Sequence, residues 1–145
     1  MKMLHFKGIH VVWPWFIRAF TFSNVIAITI FPLVIYKHRY IRSSPDVRIH
    51  ESIHIMQQLE CLLAGMLIYL VTGLLSGNWI FTLPVLLLFG ILYLIFYLVN
   101  IIRFHKSNQA YEEIPFEKEA YLNSNRAVYL GLRKPFGWIR YIRKL

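Results

Sequence analysis

One group of residues in this chain has the types and spacing to do chemistry: His50-Glu51-Ser52-Ile53-His54, a match to H-E-x-x-H. Residues i and i+4 share one face of a helix, so both imidazoles can reach a single ion. Glu51 sits beside them and can reach a water on that ion without being a ligand. Two neutral nitrogen donors and a carboxylate base poised on the water are what a zinc hydrolase requires. With 6 His in 145 residues, and as many Glu, chance supplies about 0.01 such matches, so the motif carries information. The competing reading is a solvated or hydrogen-bonded helix face near a bilayer surface. Ionisable groups are expensive at such a boundary and are functional candidates by default.

A zinc site also needs a third protein ligand, with one position left for water. The longer metzincin pattern is absent, and His105 is the only histidine after His54. Acidic residues return late, as Glu112, Glu113, Glu117 and Glu119 in AYEEIPFEKEAYLNSN. Pro115 can open a helix there, with Glu117, Ala120, Tyr121 and Ser124 along one face. The residues alone leave Glu117, Glu119, Glu113 and His105 as candidates.

HESIHIMQQ followed by FEKEAY resembles the gluzincin metallopeptidases, in which H-E-x-x-H supplies two ligands and a later helix supplies a glutamate. It is particularly similar to membrane-associated branches whose second motif reads E-x-x-A-D, and to small zincin-like domains with H-E-x-x-H-x-x-Q-Q. The resemblance implies His50, His54 and Glu117 as ligands of Zn2+, Glu51 as the general base, and peptide hydrolysis as the activity. The chain departs from the pattern at Tyr121, where those families place an Asp that orients a motif histidine.

These residues must be positioned by elements of a particular kind. The chain is 57% hydrophobic and 16% charged with a net charge of +9, whereas soluble chains carry about 25% charged residues. A small basic integral membrane protein, mainly α-helical and of one domain over residues 1–145, is the expected class. Its one cysteine, Cys61, excludes an intrachain disulfide and a multi-cysteine metal site. No Lys, Arg, Asp, Glu or His occurs in residues 61–102. Residues 79–102 are long enough to span, since about 20 apolar residues cross a bilayer. Residues 61–75 are too short alone and must borrow from 55–60, giving spans near 55–75 and 79–102. Ser76-Gly77-Asn78 is a turn between them, so a helical hairpin is expected.

A helix should open near Ser44-Pro45-Asp46, with Asp46 as its cap, and run through the motif into the first span. At 1.5 Å per residue the second helix returns the chain to the height of His50 and His54. Residues 105–116 are then enough to fold Glu117 over them. Gln57, Gln58 and Asn100 lie at that depth and read as hydrogen bonds between the helices, with support of the metal ligands as the alternative. Tyr111 and Tyr121 read as packing residues, with oxyanion stabilisation as the alternative.

Basic residues flank the hairpin and none lies at its tip, which puts both open ends, and the site, on the cytoplasmic side of the inner membrane. Residues 19–36 fit either a third span or a short strand, because Thr21, Ser23, Asn24 and Pro32 dilute a run that is β-branched at its centre. No cleaved signal peptide is expected, because His5, His10, Pro14 and Arg18 interrupt any apolar core. Trp13 and Trp15 read as interface anchors. The basic and aromatic residues of 133–144 read as a contact with anionic lipid headgroups rather than nucleic acid. The expected function is a membrane-embedded zinc metallopeptidase acting on a peptide or membrane-protein substrate. The alternative is a non-enzymatic membrane protein with a structural metal or a partner-binding role. Di-iron membrane oxygenases need more histidines than the 6 present.

Overall fold

The computed structural model describes residues 8–20 and 26–142 and is mainly helical, with one small sheet. Strand β1 (Ile9–Val12) leads through helix α1 (Pro14–Phe20) to β2 (Ala27–Ile30) and β3 (Leu33–Tyr36). The sheet order is β1-β3-β2, so β2 lies at an edge. β1 pairs parallel to β3, and β2 pairs antiparallel to it with Ala27 opposite Tyr36 and Ile30 opposite Leu33. Of 19–36, residues 19–20 end α1 and 27–36 form a strand pair and not a third span, while residues 21–25 lie outside the described residues. Ile28, Thr29, Ile30, Val34 and Ile35 favour extended backbone, and Pro32 removes a donor that a helix interior would need.

After the short α2 (Arg39–Ser43), helix α3 runs from Pro45 to Ser76 without interruption. It opens with Pro45 in the first turn after Ser44, so Ser44 rather than Asp46 is the N-cap, and neither side chain makes a capping hydrogen bond. It ends at Gly77, whose φ of 67° is left-handed and whose N–H bonds the Gly73 carbonyl. A Cβ at Gly73 would meet the Trp79 indole at 2.3 Å, so a glycine is what lets the returning chain close on the helix.

The second expected span is not one helix. Residues 79–102 form α4 (Trp79–Thr82), a 3-10 stretch over Leu83–Leu87, and α5 (Leu88–Phe104). Pro84 is the reason, since it lacks an N–H and its ring clashes with the preceding turn. Among the described residues, α3 is the one helix long and apolar enough to cross a membrane, and α5 is shorter at 17 residues. The chain finishes with α6 (Ser107–Glu112), α7 (Pro115–Asn123), α8 (Tyr129–Leu132) and α9 (Ile139–Ile142).

Two small cores fix these elements. Val34, Tyr36, Ile41 and Ile55 bury the first half of α3 against the sheet. Cys61, Ile114, Phe116 and Trp138 join α3 to the C-terminal helices, with Phe89, Leu92 and Phe96 of α5 packed on them. Gln58 docks α3 on the β2–β3 turn, donating to the Thr29 carbonyl at 2.7 Å and accepting from the Phe31 N–H at 2.6 Å. Asn100 donates to the Ala110 carbonyl at 3.0 Å and ties α5 to α6, rather than bridging to α3. The C-terminal stretch also departs from expectation: Arg133, Trp138 and Tyr141 are buried. Lys134, Phe136, Ile139 and Arg140 stay exposed, and residues 143–145 lie outside the described residues.

Candidate metal centre

The helical spacing of His50 and His54 on α3 brings their Nε2 atoms to 3.1 Å from one another. Pro115 starts α7 two residues before Glu117, so that carboxylate enters from the first turn of a second helix. His50 Nε2 lies 3.4 Å from Glu117 Oε2, and His54 Nε2 lies 3.4 Å from Glu117 Oε1. Ligands on a tetrahedral zinc with bonds of about 2.0–2.1 Å sit about 3.3–3.5 Å apart. The two imidazoles are slightly closer than that, each approaches a different oxygen of Glu117, and one ligand atom from each residue lies within 4.8 Å of the others. Glu117 Oε2 is buried and receives no hydrogen bond from the described residues, which leaves a lone pair that a cation could take up. His50, His54 and Glu117 are the one group of this kind among the described residues. The donor set fits zinc.

The surroundings of each ligand are specific. Gln57 donates through its amide nitrogen to the Phe116 carbonyl at 3.0 Å and to Glu119 Oε2 at 2.9 Å. Both partners accept only, so the amide oxygen must face His54, 2.8 Å from its Nδ1. That oxygen requires Nδ1–H on His54 and leaves the Nε2 lone pair free for a metal. Gln57 therefore supports a ligand instead of bridging to α5. Tyr93 donates to Glu117 Oε1 at 2.9 Å. Burial opposes the Glu117 charge, but His54 and His50 outweigh it and hold the carboxyl below the usual range. Tyr121 packs edge-on against His50 with ring centroids 4.7 Å apart, so this imidazole has an aromatic neighbour beside the site.

Glu51 is buried at 6% exposure and faces the edge strand, where the Thr29 hydroxyl donates to its Oε2 at 2.5 Å. Two adjoining cavities of about 640 and 470 Å³ share His50, Glu51, Tyr93, Tyr97 and Tyr111 in their walls. Burial and then the Glu117 charge push the Tyr111 phenol up, so it stays a neutral donor at that wall.

The remaining candidates lie elsewhere. Glu113 pairs with Lys118, and His105 is an exposed left-handed residue closing α5. Glu119 is fully buried and reaches His54 only through Gln57. Its Oε1 accepts from Arg133 Nε at 2.9 Å and from the Tyr129 hydroxyl at 2.7 Å. Arg133 also holds both oxygens of Glu60 on α3. Tyr93 and Glu60 were not singled out from the sequence, and Thr29 and Arg133 were given no part in the site, because each takes its role from a partner distant in the chain. Comparison with protein-family models, with curated proteins and with solved structures finds no match, so the two motifs and their geometry carry the functional reading.

Proposed function

We propose that the chain is a zinc-dependent peptidase working at a membrane surface. The observation that carries it is the His50–His54–Glu117 triangle with Glu51 beside it at a cavity wall. The chemistry a bound zinc supplies is Lewis acidity at a carbonyl and a water of lowered pKa. The Thr29 hydroxyl occupies Glu51 Oε2 and leaves Oε1 to accept the proton of the attacking water. As the water oxygen bonds to the carbonyl carbon and the C–N bond breaks, Glu51 returns that proton to the leaving amine. Gln57 keeps His54 in one tautomer throughout.

Membrane residence is supported by apolar side chains left exposed along α3 (Leu63, Leu67, Leu74 and Leu75) and α5 (Leu94, Leu98 and Ile102). In this reading α3 spans, and α4, the 3-10 stretch and α5 return together, because α5 alone reaches about 25 Å. The basic ends then face the cytoplasm. A metal that only pins α7 to α3 is the second reading, favoured by the burial of His54 and Glu117. The cavity of about 640 Å³ at His50 and Glu51 favours the first. Purified protein should cleave a casein-derived peptide mixture, lose that activity to a chelator and regain it with added zinc. Cleavage that survives chelation would assign it to something other than this site.

A further inference from the structure

The two cavities that meet at Glu51 differ in chemistry. The larger continues past Tyr111 between Asp46 on α3 and Glu112 on α6, with Ser107, Asn108 and Ser124 beside them. The smaller continues from Glu117 between the edge strand and α5, past Ile28, Phe89, Gly90 and Leu94. Asp46, Glu51, Glu112 and Glu117 are four of the 7 acidic residues in a chain of net charge +9, and among the described residues no Lys or Arg lines either cavity. The surface is basic, yet this cleft is acidic in one arm and apolar in the other. Gly90 and Leu94 lie about 14–20 Å along α5 from Arg103, on the apolar side of the site.

We infer that the cleft takes a peptide segment basic on one side of the scissile bond and apolar on the other, as at the cytoplasmic end of a membrane span. The inference rests on the peptidase reading for the bond between the two parts. The Asp46 and Glu112 carboxylates attract the basic part, and both are exposed, so they pay little desolvation cost in doing so. The apolar part lies over Gly90, where a Cβ would meet nothing within 4 Å and the missing side chain leaves room on the helix.

Recognition can be read without turnover. Full-length zinc-free protein in phosphatidylcholine nanodiscs is titrated with fluorescent peptides and binding is followed by anisotropy. One peptide joins a leucine–alanine run to a lysine run, a second replaces the lysines by glutamate, and a third replaces the leucines by serine. The leucine–lysine peptide should bind about tenfold or more tightly than either control. Asp46→Asn with Glu112→Gln should abolish the preference for lysine over glutamate. Gly90→Phe should reduce the leucine–lysine peptide to the level of the serine control, and Leu94→Ser should weaken it without adding volume. Equal binding of the lysine and glutamate peptides, binding unmoved by both Gly90→Phe and Leu94→Ser, or no binding of any peptide overturns the inference. The expected binding with no cleavage by zinc-loaded protein would keep the recognition and remove the peptidase. Cleavage that is indifferent to charge and apolarity would do the reverse.

Discussion

Glu51→Gln should leave zinc content near one per chain while hydrolysis falls by about 10²–10⁴-fold, the range typical of a lost general base. The substitution keeps the size of the side chain, and the amide oxygen can still accept the Thr29 hydroxyl that now reaches the carboxylate at 2.5 Å. None of His50, His54 and Glu117 is touched, so the fold and the metal site should persist. What disappears is the group that takes the water's proton. Metal analysis and steady-state kinetics on the same preparation check both halves. Unchanged hydrolysis with full zinc content would make the metal structural and leave the membrane-scaffold reading as the better one.

Arg133→Met should cost about 3–5 kcal/mol of stability, because it strands two carboxylates inside the protein. Arg133 is 4% exposed and is held by Glu60 and Glu119, which come from α3 and α7. Burial works against its charge, but the hydrogen bonds it donates to Glu60 and the charge of Glu119 outweigh that and raise its pKa further. The midpoint of thermal unfolding should fall by about 10 °C. Zinc affinity should fall with it, since Glu119 also anchors the amide that orients His54. Arg126, an exposed residue, is the control, and Arg126→Ala should change neither quantity. Adding Glu60→Gln and Glu119→Gln to Arg133→Met should recover part of the lost stability by removing the unpaired charges. Equal melting of Arg133→Met and wild type would contradict the buried network.

Much of the site could be read locally. His50, Glu51 and His54 announce themselves by spacing, Ser44-Pro45 marks the start of their helix, and Pro115 marks the helix carrying Glu117. Gly77 ends α3 where its lack of a Cβ suits a left-handed residue. Choosing Glu117 over Glu119 needed the family resemblance, since both are buried on the same short helix. Nothing in the sequence couples Glu60 to Arg133: one precedes a long apolar run and the other sits in a basic tail that resembles a lipid contact. Their pairing spans 73 positions and exists only once α7 and α8 fold against α3. Thr29 is similarly hidden, a small polar residue in an apolar strand whose partner is fixed by how β2 meets α3. The reading of 79–102 as one span rested on its length and apolarity and took no account of Pro84. β1 was missed because Ile9–Val12 is short and gains its place by pairing with β3 across a long connection.

The proposed hydrolysis requires one zinc held by His50, His54 and Glu117. Zinc-edge X-ray absorption of protein purified without chelators, with metal content measured on the same sample, tests it most directly. The expected result is about one zinc per chain in a four-coordinate shell of nitrogen and oxygen at about 2.0–2.2 Å, including two imidazoles. His54→Ala should lose the metal or show one imidazole fewer. Protein that neither retains nor takes up zinc, or a zinc shell identical in wild type, His50→Ala and His54→Ala, would contradict the account.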